Sequence, residues 1–246
     1  MSNISGIVQI GQDLWSESAS ALHNLGALAF DEFGNRYRYV KNGGVALAAG
    51  HLLQEAAEDT NFRSMAVDTA AAIGATEVSV TLGGTAVTAD LFKDGHLYVE
   101  SSTGLGQHFR ILSHEVQTST TGSCNFTIDR PLKVALTTSS QVTVRKSAYD
   151  SVVDFPVTPT GGAVGIALYA MTISYYGWIQ SGGDVPALYD TQTNSAADES
   201  AIMPSRDVAG SVTPVTEALA APVHIGWGRE QVSVDSTFGM VHLIID

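Results

Sequence analysis

Leu25–Gln54 reads LGALAFDEFGNRYRYVKNGGVALAAGHLLQ, and two tight reversals within it set the frame for the rest of the chain. Ala27, Ala29 and Phe30 lead into Asp31-Glu32-Phe33-Gly34-Asn35, where Asp, Gly and Asn accept the left-handed dihedrals of a sharp turn. Arg36, Tyr37, Arg38, Tyr39 and Val40 then alternate charge with aromatic. A period of two predicts a half-buried strand, with Tyr37 and Tyr39 anchoring a core from one face. Arg36 and Arg38 fall on the other face, where they are candidates for contact with a partner. A helix would scatter the same residues around its circumference. Asn42-Gly43-Gly44 predicts a second reversal, and a run of small residues over 45–50 closes on Gly50 before Leu52 and Leu53. None of this stretch carries catalytic chemistry.

The chain is 246 residues long, enough for one large β domain or two smaller ones that bury a core without staples. Asp and Glu number 25 against 12 Lys and Arg, a formal charge of -13. Nucleic acid is tracked by Lys and Arg, so this balance argues against such a partner. Two readings of the charge remain: solubility with resistance to self-association, or an acidic surface that docks on a basic rim of a larger assembly. Cys124 is the sole cysteine, so no intramolecular disulfide forms and the thiol is expected to pack as a small apolar group. MSNISGIVQIGQDLWSES has neither a basic start nor an apolar run of signal-peptide type, and no later window offers about 18 apolar residues for a span. A cytosol-like compartment is expected, which makes the sequons at Asn3 and Asn125 chance matches.

Residues 1–24 scatter Ile4, Ile7, Val8, Ile10, Leu14, Trp15 and Leu22 among polar residues without a sustained period, and read as an extended arm. Trp15 either anchors that arm to a neighbouring subunit, as buried aromatics do at interfaces, or closes the bottom of its own core. In 51–75, propensity favours helix at Leu52–Glu58 and at the alanines 70–72, but Gly50 is a poor N-cap. We expect a strand near 51–58 and at most a short helix near 66–72.

From Glu77 to Ser147 strand-like runs recur at 78–82, 86–92, 96–101, 108–117, 125–129 and 141–146, separated by glycine turns. Short strands at about ten-residue spacing predict a small antiparallel barrel or sandwich. Lys93-Asp94-Gly95-His96 is expected to be a hairpin turn. Gly104-Leu105-Gly106-Gln107 lacks the Lys and the following helix of a phosphate loop and is read as a strand connection.

Other chemistries are weakly supported. Ser113-His114-Glu115 places three catalytic residue types side by side, yet neighbours on a strand point to opposite faces and cannot relay protons; a surface strand is expected. There is no G-x-S-x-G elbow. His23, His51, His96, His108, His114, His224 and His242 show no zinc-type spacing. Asp90, Asp94 and Asp129 lack the ladder of oxygen ligands that a calcium loop requires. No motif implies a cofactor.

Pro156 and Pro159, followed by Gly161-Gly162, mark a return linker. A second block then reads Val164-Gly165-Ile166-Ala167-Leu168 and Ile173-Ser174-Tyr175-Tyr176-Gly177-Trp178-Ile179-Gln180-Ser181-Gly182-Gly183. Trp178 is expected to be a major core anchor, the competing reading being a sugar platform of Tyr175, Tyr176 and Trp178. Ala187–Asp190, a polar loop to Glu199, Ala201–Met203, Gly210-Ser211, Val223–Gly228 with Trp227 as a further core anchor, and a closing strand 240–245 complete the chain.

Two pieces together, the acidic Gly-Asn turn with Tyr-x-Tyr-Val and a small-residue run ending in Ala-Gly, and Tyr-Gly-Trp-x-Gln followed by a Gly pair, resemble the head decoration proteins of tailed bacteriophages, some of which are called capsid cement proteins. The resemblance covers about 25–54 and 164–246. It implies an all-β scaffold formed by N- and C-terminal segments, with short strands completing the sheet after the Gly turn and no catalytic residues to carry over. The expected organisation is an arm over 1–24, a discontinuous scaffold over 25–75 and 152–246, and an inserted β-barrel or sandwich over 76–151. The resemblance further implies a non-enzymatic virion protein, assembled in the host cytoplasm, that binds the major capsid protein on the outer shell as a homo-oligomer, with trimers favoured. The alternative is a carbohydrate- or receptor-binding β module of the virion.

Overall fold

The computed structural model describes residues 12–190, 200–215, 223–230, 232 and 234–246. The polar loop to Glu199 and the arm residues Ile4, Ile7, Val8 and Ile10 lie outside them. The described strands, in chain order, are β1 (Leu28–Phe30), β2 (Arg36–Lys41), β3 (Leu52–Gln54), β4 (Met65–Ala66), β5 (Glu77–Thr81), β6 (His96–Ser101), β7 (His108–His114), β8 (Ser123–Ile128) and β9 (Gln141–Arg145). The chain continues with β10 (Val153–Asp154), β11 (Ala163–Ala167), β12 (Tyr176–Tyr189), β13 (Ala201–Pro204), β14 (Val212–Pro214), β15 (Gly226–Gly228) and β16 (Thr237–Ile244). The fold is all-β, and among the described residues the one helical element is a 3-10 turn at Thr60–Phe62. Two compact units result, residues up to Ala57 with Ala148–Asp246, and Glu58–Ser147.

The first unit is organised by β12. Its first half pairs with β2, Trp178 facing Tyr39 and Gln180 facing Tyr37, and with β11 on the other side. Its second half pairs with β16 from Gly182↔Ile244 to Tyr189↔Thr237. Strands β12, β14, β13, β15 and β16 follow one another and β16 returns to β12, closing a five-stranded barrel. Leu52, Phe155, Val185, Tyr189, Ile202, Val212, Val241 and Leu243 fill and cover its interior. Beside it, Ala29, Tyr37, Tyr39 and Trp178 form the expected aromatic core. The Trp178 ring meets Tyr39 edge-on at 5.1 Å between centroids, a geometry suited to the ring quadrupole.

Gly182-Gly183, expected to turn the chain, instead lies inside β12. The strand changes partner here, from β2 to β16, with a register shift between Gln180 and Gly182. A Cβ on Gly183 would stand 2.1 Å from Asn35 Oδ1, and its φ of +88° suits glycine, so close approach rather than reversal requires the residue. The first predicted turn is present: Gly34 has φ +85°. The Asp31 carboxylate accepts from the Phe33 and Asn35 amides at 2.9 Å and from the Tyr37 hydroxyl at 2.9 Å.

The inserted unit is a six-stranded sheet in the order β4-β9-β6-β7-β8-β5. A bridge between Val67 and Val80 joins its two ends, so the sheet is nearly a barrel. It begins at Glu58 rather than 76 and ends at Ser147 rather than 151. Phe62, Met65, Val67 and Ala71 belong to its core with Phe92, Leu97, Ile111 and Phe126, which moves 58–75 out of the scaffold. The short helix expected near 66–72 is absent. Ala71 exchanges backbone hydrogen bonds with Leu136 at 3.0 and 2.8 Å, and this pairing overrides alanine's helical propensity.

Residues 86–92 are turns with a single bridge at Val87↔Gln117, not a strand. Asp94-Gly95 therefore leads a turn into β6 and does not link two strands. Asp94 takes φ +64°, while Gly95 is needed because a Cβ there would lie 2.2 Å from the Arg145 carbonyl oxygen.

Candidate interaction surface

Arg36 and Arg38 lie on the outward face of β2, as the alternation predicts, but they are not left open for a partner. Arg38 forms a two-pronged ion pair with the Asp246 carboxylate, one prong at 3.0 Å, and donates to the Gly26 carbonyl at 2.9 Å. Arg36 donates to the Asp246 backbone oxygen, and the Ser181 hydroxyl donates to the Asp246 carboxylate at 2.9 Å. Burial alone would raise the Asp246 carboxyl, but hydrogen bonds from Arg38 and Ser181 outweigh it and hold the group below the usual carboxylate range. The arginines thus tie the end of β16 to β2, an internal task that Arg38's 23% side-chain exposure also indicates.

Trp15 is placed otherwise. Its side chain is 64% exposed, so it does not close its own core. The backbone around it is nevertheless held firmly. The Ser16 amide donates to the Asp13 carbonyl at 3.1 Å, and the Ser16 carbonyl accepts from Gln12 Nε2 and from the Tyr169 hydroxyl, each at 2.6 Å. The Glu17 carboxylate accepts from the Thr172 amide and hydroxyl at 2.6 Å, and Ser18 exchanges backbone hydrogen bonds with Tyr176. Burial pushes the Tyr169 hydroxyl well above its usual range, so it remains a donor. A clipped segment therefore presents a large aromatic ring to solvent.

Trp178 is fully buried, which removes the sugar platform proposed for it with Tyr175 and Tyr176. Trp227, expected in the core, is half-buried on the outside of the barrel. Residues on β15 alternate, and Gly226 and Gly228 take the inward positions while Trp227 points out. Its ring stacks on His242 at 4.6 Å with an interplanar angle of 18°, and His242 Nδ1 contacts the Asp184 carboxylate at 2.6 Å. Among the described residues, Trp227, His224, Gly226, Ala201 and Ile244 line an open pocket of about 370 Å³.

The buried interior holds one Cys–His contact. Cys124 Sγ lies 3.7 Å from His114 Nδ1. That nitrogen also contacts the Glu115 carbonyl at 2.9 Å, and Nε2 accepts from the Phe92 amide at 3.0 Å. An Nδ1–H donated to the carbonyl leaves no lone pair there to take the thiol proton. Burial pushes the Cys124 thiol up to about 11 and His114 below its usual value. The pair is chemically quiet packing. His114 was expected on a surface strand; a register shift between Ile111 and Ser113 turns Leu112 outward and His114 inward.

His96 and His108 share one hydrogen bond at 2.9 Å across β6 and β7, so one ring donates and the other accepts. Asp90, Asp94 and Asp129 do not converge. Asp90 accepts the His114 amide, Asp94 binds Arg110 at 2.7 Å, and Asp129 accepts the Arg110 amide. Among the described residues no group of three or more His, Cys, Asp or Glu side chains is placed to hold a metal ion. No described helix is long and apolar enough to cross a membrane.

Asp246 and the Tyr169–Glu17 clip were not foreseen from the sequence. Their partners lie 208 and 153–155 residues away, and no local spacing reveals such a contact. No family model matched the chain, and no curated protein or solved structure matched it significantly.

Proposed function

We propose that this chain is a structural virion protein that adheres to the outer surface of a tailed-phage head and reinforces the shell, with the major capsid protein of the same virus as its partner. The observation that supports this reading is Trp15: a ring 64% exposed on a backbone held at Gln12, Ser16, Glu17 and Ser18. Aromatic anchors dominate interface energetics, and one whose backbone is already ordered loses little further entropy when it seats. Its mechanism is burial of contact area, about 1,000–2,000 Å² per copy for a specific assembly. Repetition over a shell multiplies modest contacts through effective concentration. Trimers at three-fold positions suit such a shell. The carbohydrate-binding alternative draws on the pocket beside Trp227, whose described lining offers the His224 ring and the Trp227 indole N–H as side-chain polar groups where a sugar needs several to orient it.

Co-sedimentation with expanded empty heads tests the proposal. The full chain is expected to pellet with heads, and Trp15→Ala, at a residue 64% exposed, is expected to weaken retention by roughly 30-fold, the scale of a hot-spot residue worth about 2 kcal/mol. Absence of binding by the intact chain would overturn it.

A further inference from the structure

We propose that the outer face of the five-stranded barrel, built from Phe238, Met240 and Ile244 of β16, Pro186 of β12 and Trp227 of β15, is where two copies of this chain meet.

A strand with one face on a core and one in water alternates apolar with polar residues. The segment 238–244 reads Phe-Gly-Met-Val-His-Leu-Ile and does not alternate. Val241 and Leu243 point inward and are buried. Phe238, Met240 and Ile244 point outward and remain 56%, 37% and 50% exposed. The ladder sets their neighbours beside them: Met240 opposite Pro186, His242 opposite both Asp184 and Trp227. These registers set Phe238, Met240 and Pro186 together on one side of the His242–Asp184 pair and Ile244 with Trp227 on the other, and exposed apolar groups gathered in this way mark an interaction surface. β16 lies between β12 and β15 in the closed barrel, so no partner can extend the sheet there by strand addition. The contact has to be face to face.

Charge indicates the occupant. With a net charge of -13, two copies repel over most of their surface. Among the described residues this face carries few charges, with Arg229 beside Asp184 and Glu230 bound to a neutral backbone amide. The Asp184 carboxylate contacts His242 at 2.6 Å and Arg229 at 3.8 Å, and the Glu230 carboxylate accepts the Met240 amide at 2.8 Å. A basic partner finds few uncompensated acids here, whereas a second copy meets apolar surface and little like charge. The inference concerns the chain by itself and holds whether or not the chain binds a shell.

Sedimentation equilibrium of the full chain from about 1 to about 100 µM tests it. The intact protein is expected to show a mass that is a multiple of 25.8 kDa at the upper end. Met240→Asp with Ile244→Asp should run as a monomer, while Phe33→Asp with Val45→Asp, the same two charges added at positions 83% and 69% exposed, should behave as the intact chain. A second measurement covers the event that the double variant does not fold. Cys124 is buried, so in Met240→Cys a maleimide reports on position 240 alone. Its labelling should slow roughly tenfold or more between the two concentrations as the face becomes covered. A monomeric intact chain at about 100 µM, a folded double variant that still associates, or labelling independent of concentration would each overturn the proposal, and the first would hand the patch to a different partner.

Discussion

Replacing Asp246 with Asn tests whether the outward arginines of β2 serve the fold. The substitution keeps size and one acceptor but removes the charge that Arg38 grips from two nitrogens and that Ser181 also binds. Fully exposed ion pairs contribute about 0–1 kcal/mol. This one is only 23% and 21% exposed at its two side chains, and hydrogen bonds to charged groups contribute about 1.5–3 kcal/mol. Asn recovers part of that, so the expected loss at neutral pH is about 1.5 kcal/mol. The pH dependence has a definite sign. The carboxyl is held below its unfolded value of 3.8, so the native state releases its proton more readily than the unfolded chain does. Its contribution is fully present above that unfolded value and disappears as pH falls through the lower folded value. The two proteins should differ by a constant amount from neutrality to about pH 5 and converge below about pH 3.8. Denaturant titration followed by tryptophan fluorescence reads the first unit alone, because Trp15, Trp178 and Trp227 all lie in it. Equal stability at pH 7, or a gap that persists in acid, would refute the assignment and return Arg38 to the list of free contact residues.

Trp178→Ala should cost about 3–5 kcal/mol in the same assay, read by circular dichroism, since the ring is fully buried against Tyr39. Gly95→Ala should cost more than about 2 kcal/mol because its Cβ would meet the Arg145 carbonyl at 2.2 Å. Gly74→Ala, with φ +91° and open space around it, should cost only about 1–2 kcal/mol. Cys124 should resist alkylation in the folded protein at pH 8. Burial raises its thiol from 9.0 to about 11, so the native state keeps a proton that the unfolded chain loses, and stability should fall as pH climbs through that window. Residues 58–147 expressed alone should give a cooperative thermal transition, since they hold a complete core of their own.

What could be read from the sequence was whatever a strand writes locally. The Tyr37/Tyr39 alternation, the Asp31–Asn35 turn and the burial of Trp178 follow from pleat and size, and the structure places them accordingly. Local signals failed where long-range pairing decided. Gly182-Gly183 has the composition of a turn, but its need for glycine comes from Asn35 and Arg36 packed across it. Ala70–Ala72 looks helical until Leu136 pairs with it. Ser113-His114-Glu115 has the composition of a surface strand, but a register shift between Ile111 and Ser113 turns His114 inward. Arg36 and Arg38 read correctly as outward, and only the distant Asp246 showed that outward was not the same as available.

The inserted unit interrupts the scaffold between two strands that are hydrogen-bonded neighbours: Gln54 of β3 sits opposite Val153 of β10. Bringing those positions together through a disordered chain means closing a loop of about 100 residues. Within the insert, Met65 pairs with Val142, so its two ends are already neighbours once it has folded. Early folding of the insert would shorten the free loop to about 20 residues, lowering the closure cost by roughly 1.5 kcal/mol. On that order of events the middle of the polypeptide acts as an internal chaperone for its flanks, and a lesion in the insert's core would slow the pairing of β3 with β10.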